Sequence, residues 1–323
     1  MRELIVGAND AGQRLDRFLS KAVPLLPASL AQKYIRLKRI KLGGRRAARD
    51  TRLQAGDVLQ LYINDEFFDT PRAENAYLTV ASPRLRIVYE DSQILLVDKQ
   101  PGIAVHPHDG AEYGRTLIDQ IQAYLYQKGE WIPRAENAFT PALCNRIDRN
   151  TGGLVIAAKT AEALRVMNQK IKDRELEKRY LAIVEGAPQP RAGSLTGYLF
   201  KDEKKNRVYV TDAPQPGSKS CRTDYRVIAT RGALSLVECT LVTGRTHQIR
   251  AQFAHAGHPL LGDGKYGKLG KDAARSYQAL YAYSIAFRFT TEAGSLSYLN
   301  GRSFRVQEVD FVREYFPDFV GKL

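Results

Sequence analysis

Cysteine, tryptophan, methionine and histidine are all scarce, with 3 Cys, 1 Trp, 2 Met and 5 His in 323 residues. The three cysteines, Cys144, Cys221 and Cys239, are too few and too scattered for a disulfide framework or a thiolate metal site, and they suit a reducing compartment. Long apolar runs are missing too. The stretch from Leu154 to Ala158 stops well short of a membrane span, and the opening MRELIVGAND lacks the apolar core of a signal peptide, so a cytosolic protein is expected. There is no phosphate-cradling glycine loop, no HExxH and no nucleophilic-serine elbow, which removes the usual nucleotide-hydrolysing, zinc-protease and esterase readings. Acid is in deficit. Asp+Glu number 35 against 49 Lys+Arg, a net charge of +14, and a basic surface of this kind favours a polyanion such as nucleic acid.

What is present describes a folded protein. A hydrophobic share of 44% with 26% charged residues is ordinary for a soluble globular chain, and the length suggests about two domains. The charge is concentrated near the N-terminus, where Lys33, Arg36, Lys38, Arg39, Lys41, Arg45, Arg46, Arg49 and Arg52 face a single acid, Asp50. Leu30, Tyr34 and Leu37 recur at i, i+4, i+7 and predict a helix with Lys33 and Arg36 on its flank, broken by Gly43-Gly44. Leu59, Leu61 and Ile63 alternate with Gln60 and Tyr62, as in a half-buried strand. The expected organisation is a basic unit over 1–63, a linker over 64–84 and a second domain over 85–323. In that second domain LRIVY, QILLV, GLVIAA, YLAIVEG, ALSLVECTL and YAYSIAF read as strands. Helices are expected over Thr116 to Tyr126, Thr160 to Lys172 and Thr246 to Ala256. The class is therefore α+β, a small N-terminal α/β module followed by a mixed, mainly antiparallel sheet with flanking helices.

The segment NRIDRNTGGLVIAAKT carries the most chemistry. Asp148 lies between Arg146 and Arg149 in a loop that runs through Gly152-Gly153 into an apolar strand. A carboxylate so placed serves as a nucleophile or general base, or else it is a turn residue accepting N–H groups from Asn150 or Thr151. In LVTGRTHQIRAQFAHAGHPLLGDGKYG a strand passes into a helix whose Ile249, Phe253 and Ala256 share the buried face, leaving Arg245 and Arg250 free for an anion. Tyr180 precedes the strand-like LAIVEG, where its ring could stack on a base or simply form a half-buried edge.

In chain order, DKQPGIAVHP (98–107), NRIDRNTGG (145–153), KRYLAIVEG (178–186), GRTHQIR (244–250) and GHPLLGDGKYG (257–267) resemble the motifs of the RluA-type pseudouridine synthases. The N-terminal part, from QRLDRFL to GDVLQLYI, resembles the alpha-L RNA-binding module named after a small-subunit ribosomal protein. The resemblance implies a cofactor-free isomerisation of uridine in RNA, most often large-subunit ribosomal RNA. It assigns the catalytic aspartate to Asp148, the base-stacking tyrosine to Tyr180, the arginine that pairs with the aspartate to Arg250, and a residue that holds out the target nucleotide to Arg146. The basic residues Lys33, Arg36, Lys38, Arg39, Lys41, Arg45 and Arg46 become the candidate RNA contacts. The family's commonest form has His where this chain has Asn145 and Ser where it has Gly153, and LPASLAQKYI lacks the usual Ser-Arg-Ser-like start of the module.

Three other readings compete: a ribosome-assembly protein that has lost activity, a synthase acting on transfer RNA, and a phosphate-ester hydrolase. Intact Asp148, Tyr180 and Arg250 argue against the first, and the hydrolase would need a metal cluster or an activated water. Histidines 106 and 108 beside Asp109, or 247, 255 and 258, offer no recognised metal spacing, so no metal is expected. No nucleotide cofactor, no membrane and a monomeric protein complete the expectation.

Overall fold

A computed structural model describes residues 1–322 apart from 24, 25, 27, 64–66, 69–75, 78, 79, 109–111, 113, 134–137, 204, 206 and 268–274. Two sheets organise the chain, and the α+β class expected from the sequence is what the backbone shows. The first is antiparallel, of four strands in the order β1-β4-β2-β3: β1 (Arg2–Ile5), β2 (Ile40–Leu42), β3 (Arg45–Arg46) and β4 (Val58–Leu61). Leu15, Phe18 and Leu19 of α1 (Leu15–Ala22) and Ala31 and Ile35 of α2 (Ala28–Arg36) join Ile40, Leu59 and Leu61 in one buried cluster.

Of the apolar face expected of α2, Leu30 and Tyr34 pack on this cluster partly buried, but Leu37 does not. Ala31 and Ile35 are its buried residues, whereas Leu37 lies beyond the helix end with 52% of its surface exposed. Lys38 at φ 59 ends the helix and turns the chain back into β2. Gly43-Gly44 does not break a helix. With both residues at positive φ, 53 and 75, it forms the two-residue turn of the β2–β3 hairpin, a conformation glycine takes without steric cost.

The second sheet has the order β11-β10-β12-β13-β9-β14-β8-β6-β5, with β15 beside β14 and β7 beside β8. Its strands are β5 (Ile87–Glu90), β6 (Ile94–Lys99), β7 (Ala142–Leu143), β8 (Gly152–Ala158), β9 (Leu176–Glu185), β10 (Ala192–Asp202), β11 (Arg207–Thr211), β12 (Lys219–Arg231), β13 (Leu234–Leu241), β14 (Leu280–Phe287) and β15 (Ser303–Arg305). Among the described residues only β14 and β8 run parallel. The central strands β8 and β14 are buried at every residue, which is why they read as unbroken apolar runs. Strands β10, β11 and β12 are half exposed, and their short apolar runs are set among polar residues, which leaves a weaker strand signal in the sequence.

Helices cover both faces. Leu117 and Ile121 of α3 (Leu117–Gln127) and Ile249 and Phe253 of α5 (Gln248–His255) pack with Val97 and Ala157, while Ala163 and Met167 of α4 (Ala161–Lys172) pack with Leu96 and Ile156. Thr116 starts α3 with a reciprocal cap to Asp119, and the Thr160 hydroxyl accepts the Ala163 N–H at 3.1 Å to start α4. Helix α5 begins later than the expected Thr246 because His247 takes a left-handed φ of 53, and Ala256 is exposed beyond its end rather than on the buried face. The last α-helix among the described residues is α6 (Asp310–Tyr315).

Of the segment read as a linker, 64–66, 69–75, 78 and 79 lie outside the described residues. Phe67 and Phe68 pack on the N-terminal cluster, and Tyr77 and Val80 enter the main core. The two sheets are tied together where the buried Asp10 carboxylate accepts the Ala138 N–H at 2.9 Å and the Arg165 guanidinium donates to the Ala11 carbonyl at 3.2 Å. No helix among the described residues is long and apolar enough to cross a membrane.

Candidate active site

The loop from Cys144 to Thr151 is fastened on every side before it reaches β8. Ile147 plugs into the core. The Asn145 side chain accepts the Ile156 N–H at 2.8 Å and donates to the Leu154 carbonyl at 3.3 Å, so it clamps the loop along β8. Thr151 is buried and takes a hydrogen bond of 3.1 Å from Gln278. Lys99 lies beneath, fully buried, its ammonium donating to the carbonyls of Gln100, Ile103 and Arg149 at 3.0, 2.9 and 2.8 Å. Burial pulls this lysine down to about 7, against the nearby Asp148 charge, which raises it.

The two glycines that follow are required, for different reasons. Gly153 has a φ of +118, and a Cβ there would stand 2.6 Å from the Ala282 nitrogen. A serine at 153 would therefore collide with the β14 backbone in this fold. At Gly152 the obstacle is the buried Tyr281 ring, which a Cβ would meet at 2.8 Å at Cδ2.

Asp148 emerges one-quarter exposed, and its side chain does not close a turn; it is the backbone carbonyl that accepts the Thr151 N–H. The carboxylate instead meets α5. Arg250 Nη1 donates to Asp148 Oδ2 at 2.8 Å, while its Nε and Nη2 grip Asp263 at 2.7 and 2.9 Å. Arg250 is therefore not free for an anion. Burial works against the Asp263 charge, but the Arg250 fork and the amides of Lys265 and Tyr266 hold its carboxyl below the usual range.

His247 Nε2 is 3.7 Å from the same Asp148 Oδ2, and its Nδ1 is 2.9 Å from the Tyr266 hydroxyl. Burial lowers its pKa more than Asp148 raises it, which keeps the imidazole neutral. Tyr266 is likewise held protonated by burial, its ring 5.3 Å from the Arg250 guanidinium. Tyr180 stands mid-strand in β9, not at its start, and is buried with a hydroxyl that has no partner among the described residues. Burial, then the Asp148 charge, push its pKa up, so it remains a neutral phenol.

The other candidates lie apart. Arg149 pairs with Glu112, and Arg146 is exposed at the mouth. Arg245 is exposed on the turn, with a contact of 3.5 Å to the Ser220 carbonyl. His255 faces Asp212 and His258 faces the Glu185 carbonyl, so the three C-terminal histidines have three different partners. His106 is exposed, and Asp109 lies outside the described residues. Among the described residues no three His, Cys, Asp or Glu side chains gather as metal ligands. Lys33, Arg36 and Arg46 line a cavity of about 630 Å³ with Arg49, whereas Lys38, Arg39, Lys41 and Arg45 lie outside it, Arg39 over the Tyr34 ring and Lys41 over that of Tyr62.

Asp263, His247, Tyr266 and Lys99 were not singled out for the site. A signal existed for Asp263, because an acid in an apolar stretch such as HPLLGDGKYG needs a cation if it is buried.

Residues 93–255 match the family model described as RNA pseudouridylate synthase. The chain is 30% identical over 298 residues to the ribosomal large subunit pseudouridine synthase C of Escherichia coli K12, covering 88% of this chain and 87% of that one. The chain belongs to the RluA-type RNA pseudouridine synthases. An uncharacterized RNA pseudouridine synthase of Chlorobaculum parvum is 32% identical over 302 residues, with 88% and 89% covered. Two solved human structures agree with this synthase in fold. RNA pseudouridylate synthase domain containing 4 aligns at a TM-score of 0.56 with 18% identity, covering 73% of this chain and 94% of its own. Domain containing 1 aligns at 0.52 with 21% identity, covering 72% and 94%. The synthase is thus an isomerase with RNA as substrate.

Proposed function

We propose that the synthase converts uridines of large-subunit ribosomal RNA to pseudouridine, with Asp148 as the reacting carboxylate. The observation that carries the reading is the Asp148–Arg250 pair at 2.8 Å beside the buried, neutral Tyr180. In the reaction the glycosidic carbon–nitrogen bond breaks, the uracil turns, and ring carbon 5 bonds to the sugar while its proton leaves and nitrogen 1 gains one. Asp148 is open to the solvent side, where it can reach the anomeric carbon, a sugar proton or the ring. Lys178, two residues before Tyr180 on β9, has no partner among the described residues, and burial pulls its ammonium below the usual lysine range. An RNA phosphate is a fitting counter-charge. Mapping pseudouridines in ribosomal and transfer RNA of a deletion strain, with complementation by wild-type and Asp148→Asn protein, tests the substrate. Restored sites in transfer RNA alone would overturn the ribosomal assignment.

Arg146, exposed beside Asp148, is placed to hold the target nucleotide out of its stack. Tyr180 supplies the ring beneath the base. Tyr180→Ala is therefore expected to weaken binding of the flipped uridine by about 1–3 kcal/mol while Tyr180→Phe binds normally. Fluorescence titration with RNA carrying a non-reactive uridine analogue reads this. If Phe binds normally but turns over hundreds of times more slowly, the hydroxyl takes part in proton transfer at ring carbon 5.

Residues 1–63 serve in this reading as the RNA-holding module, 64–84 as its connection and 85–323 as the catalytic part, all working in the cytosol. The groove lined by Lys33, Arg36, Arg46 and Arg49 is its phosphate-facing surface. Replacing Lys33, Arg36 and Arg46 together by Gln should lower the slope of log Kd against log salt by about 2 units, at about 0.7–0.9 per phosphate contact. An unchanged slope would show that this groove does not hold RNA.

A further inference from the structure

The imidazole of His247 belongs to a hydrogen-bond chain that stops 3.7 Å short of the carboxylate. The Val208 N–H donates to the Tyr266 oxygen at 3.0 Å, and that oxygen stands 2.9 Å from His247 Nδ1. The phenolic proton has no other acceptor among the described residues, so the arrangement that satisfies all three groups sends it to Nδ1. The imidazole proton then sits on Nε2, which faces Asp148 Oδ2. Three features hold this geometry. The His247 and Tyr266 rings meet edge to face at 5.7 Å between centroids, Tyr266 is anchored by its amide to Asp263, and His247 sits at a left-handed φ, which few non-glycine residues adopt without cause.

Arg250 Nη1 donates to Oδ2 at 2.8 Å, whereas Oδ1 accepts no hydrogen bond among the described residues. The Arg250 hydrogen bond and the nearby Nε2 edge of the imidazole therefore fall on the same oxygen and leave the other bare. We propose that His247, fixed as its Nε2–H tautomer by Tyr266, is a positioning residue that holds Asp148 with Oδ2 engaged and Oδ1 presented to the uridine. The assignment rests on Asp148 being the reacting carboxylate, although the tautomer itself does not. Charged and titratable groups around the imidazole are Asp148, Arg250, Asp263, Lys265 and Tyr266.

Two measurements on the full chain test it. Nitrogen-15 NMR of histidine-labelled protein, with His247 assigned by its absence in His247→Gln, is expected to show a neutral Nε2–H ring that shifts towards Nδ1–H in Tyr266→Phe. An Nδ1–H or doubly protonated ring in the wild type would overturn the proposal whatever Asp148 does. In single-turnover assays His247→Gln, whose amide N–H falls where Nε2–H was, should keep the rate within about threefold, while His247→Asn and His247→Ala lose about tenfold or more with unchanged RNA affinity. Equal rates for Ala, Asn and wild type would reject the positioning role, and a loss in Gln equal to that in Ala would do the same. Failure of the underlying reading looks different, because Asp148→Asn would then be active while the tautomer remained as described.

Discussion

Asp148→Asn is expected to lower the single-turnover rate of pseudouridine formation at least about 100-fold while RNA affinity stays within about twofold. The amide keeps the size of the side chain and an oxygen for Arg250 Nη1, so the loop clamped by Asn145, Thr151 and Lys99 has no reason to move. Only the charge is lost, together with the ability to attack carbon or take up a proton. Tritium release from RNA labelled at uracil carbon 5 reads the chemistry, and filter binding reads the affinity. A variant retaining more than about 1% of the rate would remove Asp148 from the reacting role, since a directly participating group contributes at least about that much.

Arg250→Met is expected to cost both stability and activity. Its guanidinium serves two carboxylates, and the side chain of Asp263 has no exposed surface. Stranding a buried carboxylate costs about 3–5 kcal/mol, which urea unfolding will detect. The pH dependence has a definite sign. Burial raises the Asp263 pKa, but Arg250 and the Lys265 and Tyr266 amides together bring it below its unfolded value of about 3.9, so the pair's contribution is present above about pH 4. It is lost as pH falls through the depressed folded pKa, so the gap between wild type and Arg250→Met should close on acidification. Adding Asp263→Asn to Arg250→Met should recover more than half of the lost stability, since the neutral side chain still accepts the Lys265 and Tyr266 amides. Activity should not return, because Asp148 still lacks its clamp. A single variant as stable as wild type would show that the Asp263 charge is met by other groups.

The sequence alone determined the class of fold, the family and the residues that stand in its motifs. Those properties are local. Apolar runs mark β8 and β14 because both strands are buried on two faces, Thr116 and Thr160 mark helix starts through their own hydroxyls, and the ordered motifs around Asp148, Tyr180 and Arg250 are contiguous in the chain. Only the tertiary structure decided who touches whom. Arg250 reaches Asp148 across 102 residues and is at the same time occupied by Asp263, a sharing invisible from the two nearer arginines that flank the aspartate. Tyr266 reaches Val208 across 58 residues, which orients His247. The turn at Gly43-Gly44, the exposure of Leu37 and the strands β10 to β12 escaped the sequence for one reason. Which face of a half-polar segment is buried depends on what the rest of the chain lays against it, and local periodicity carries no record of that partner.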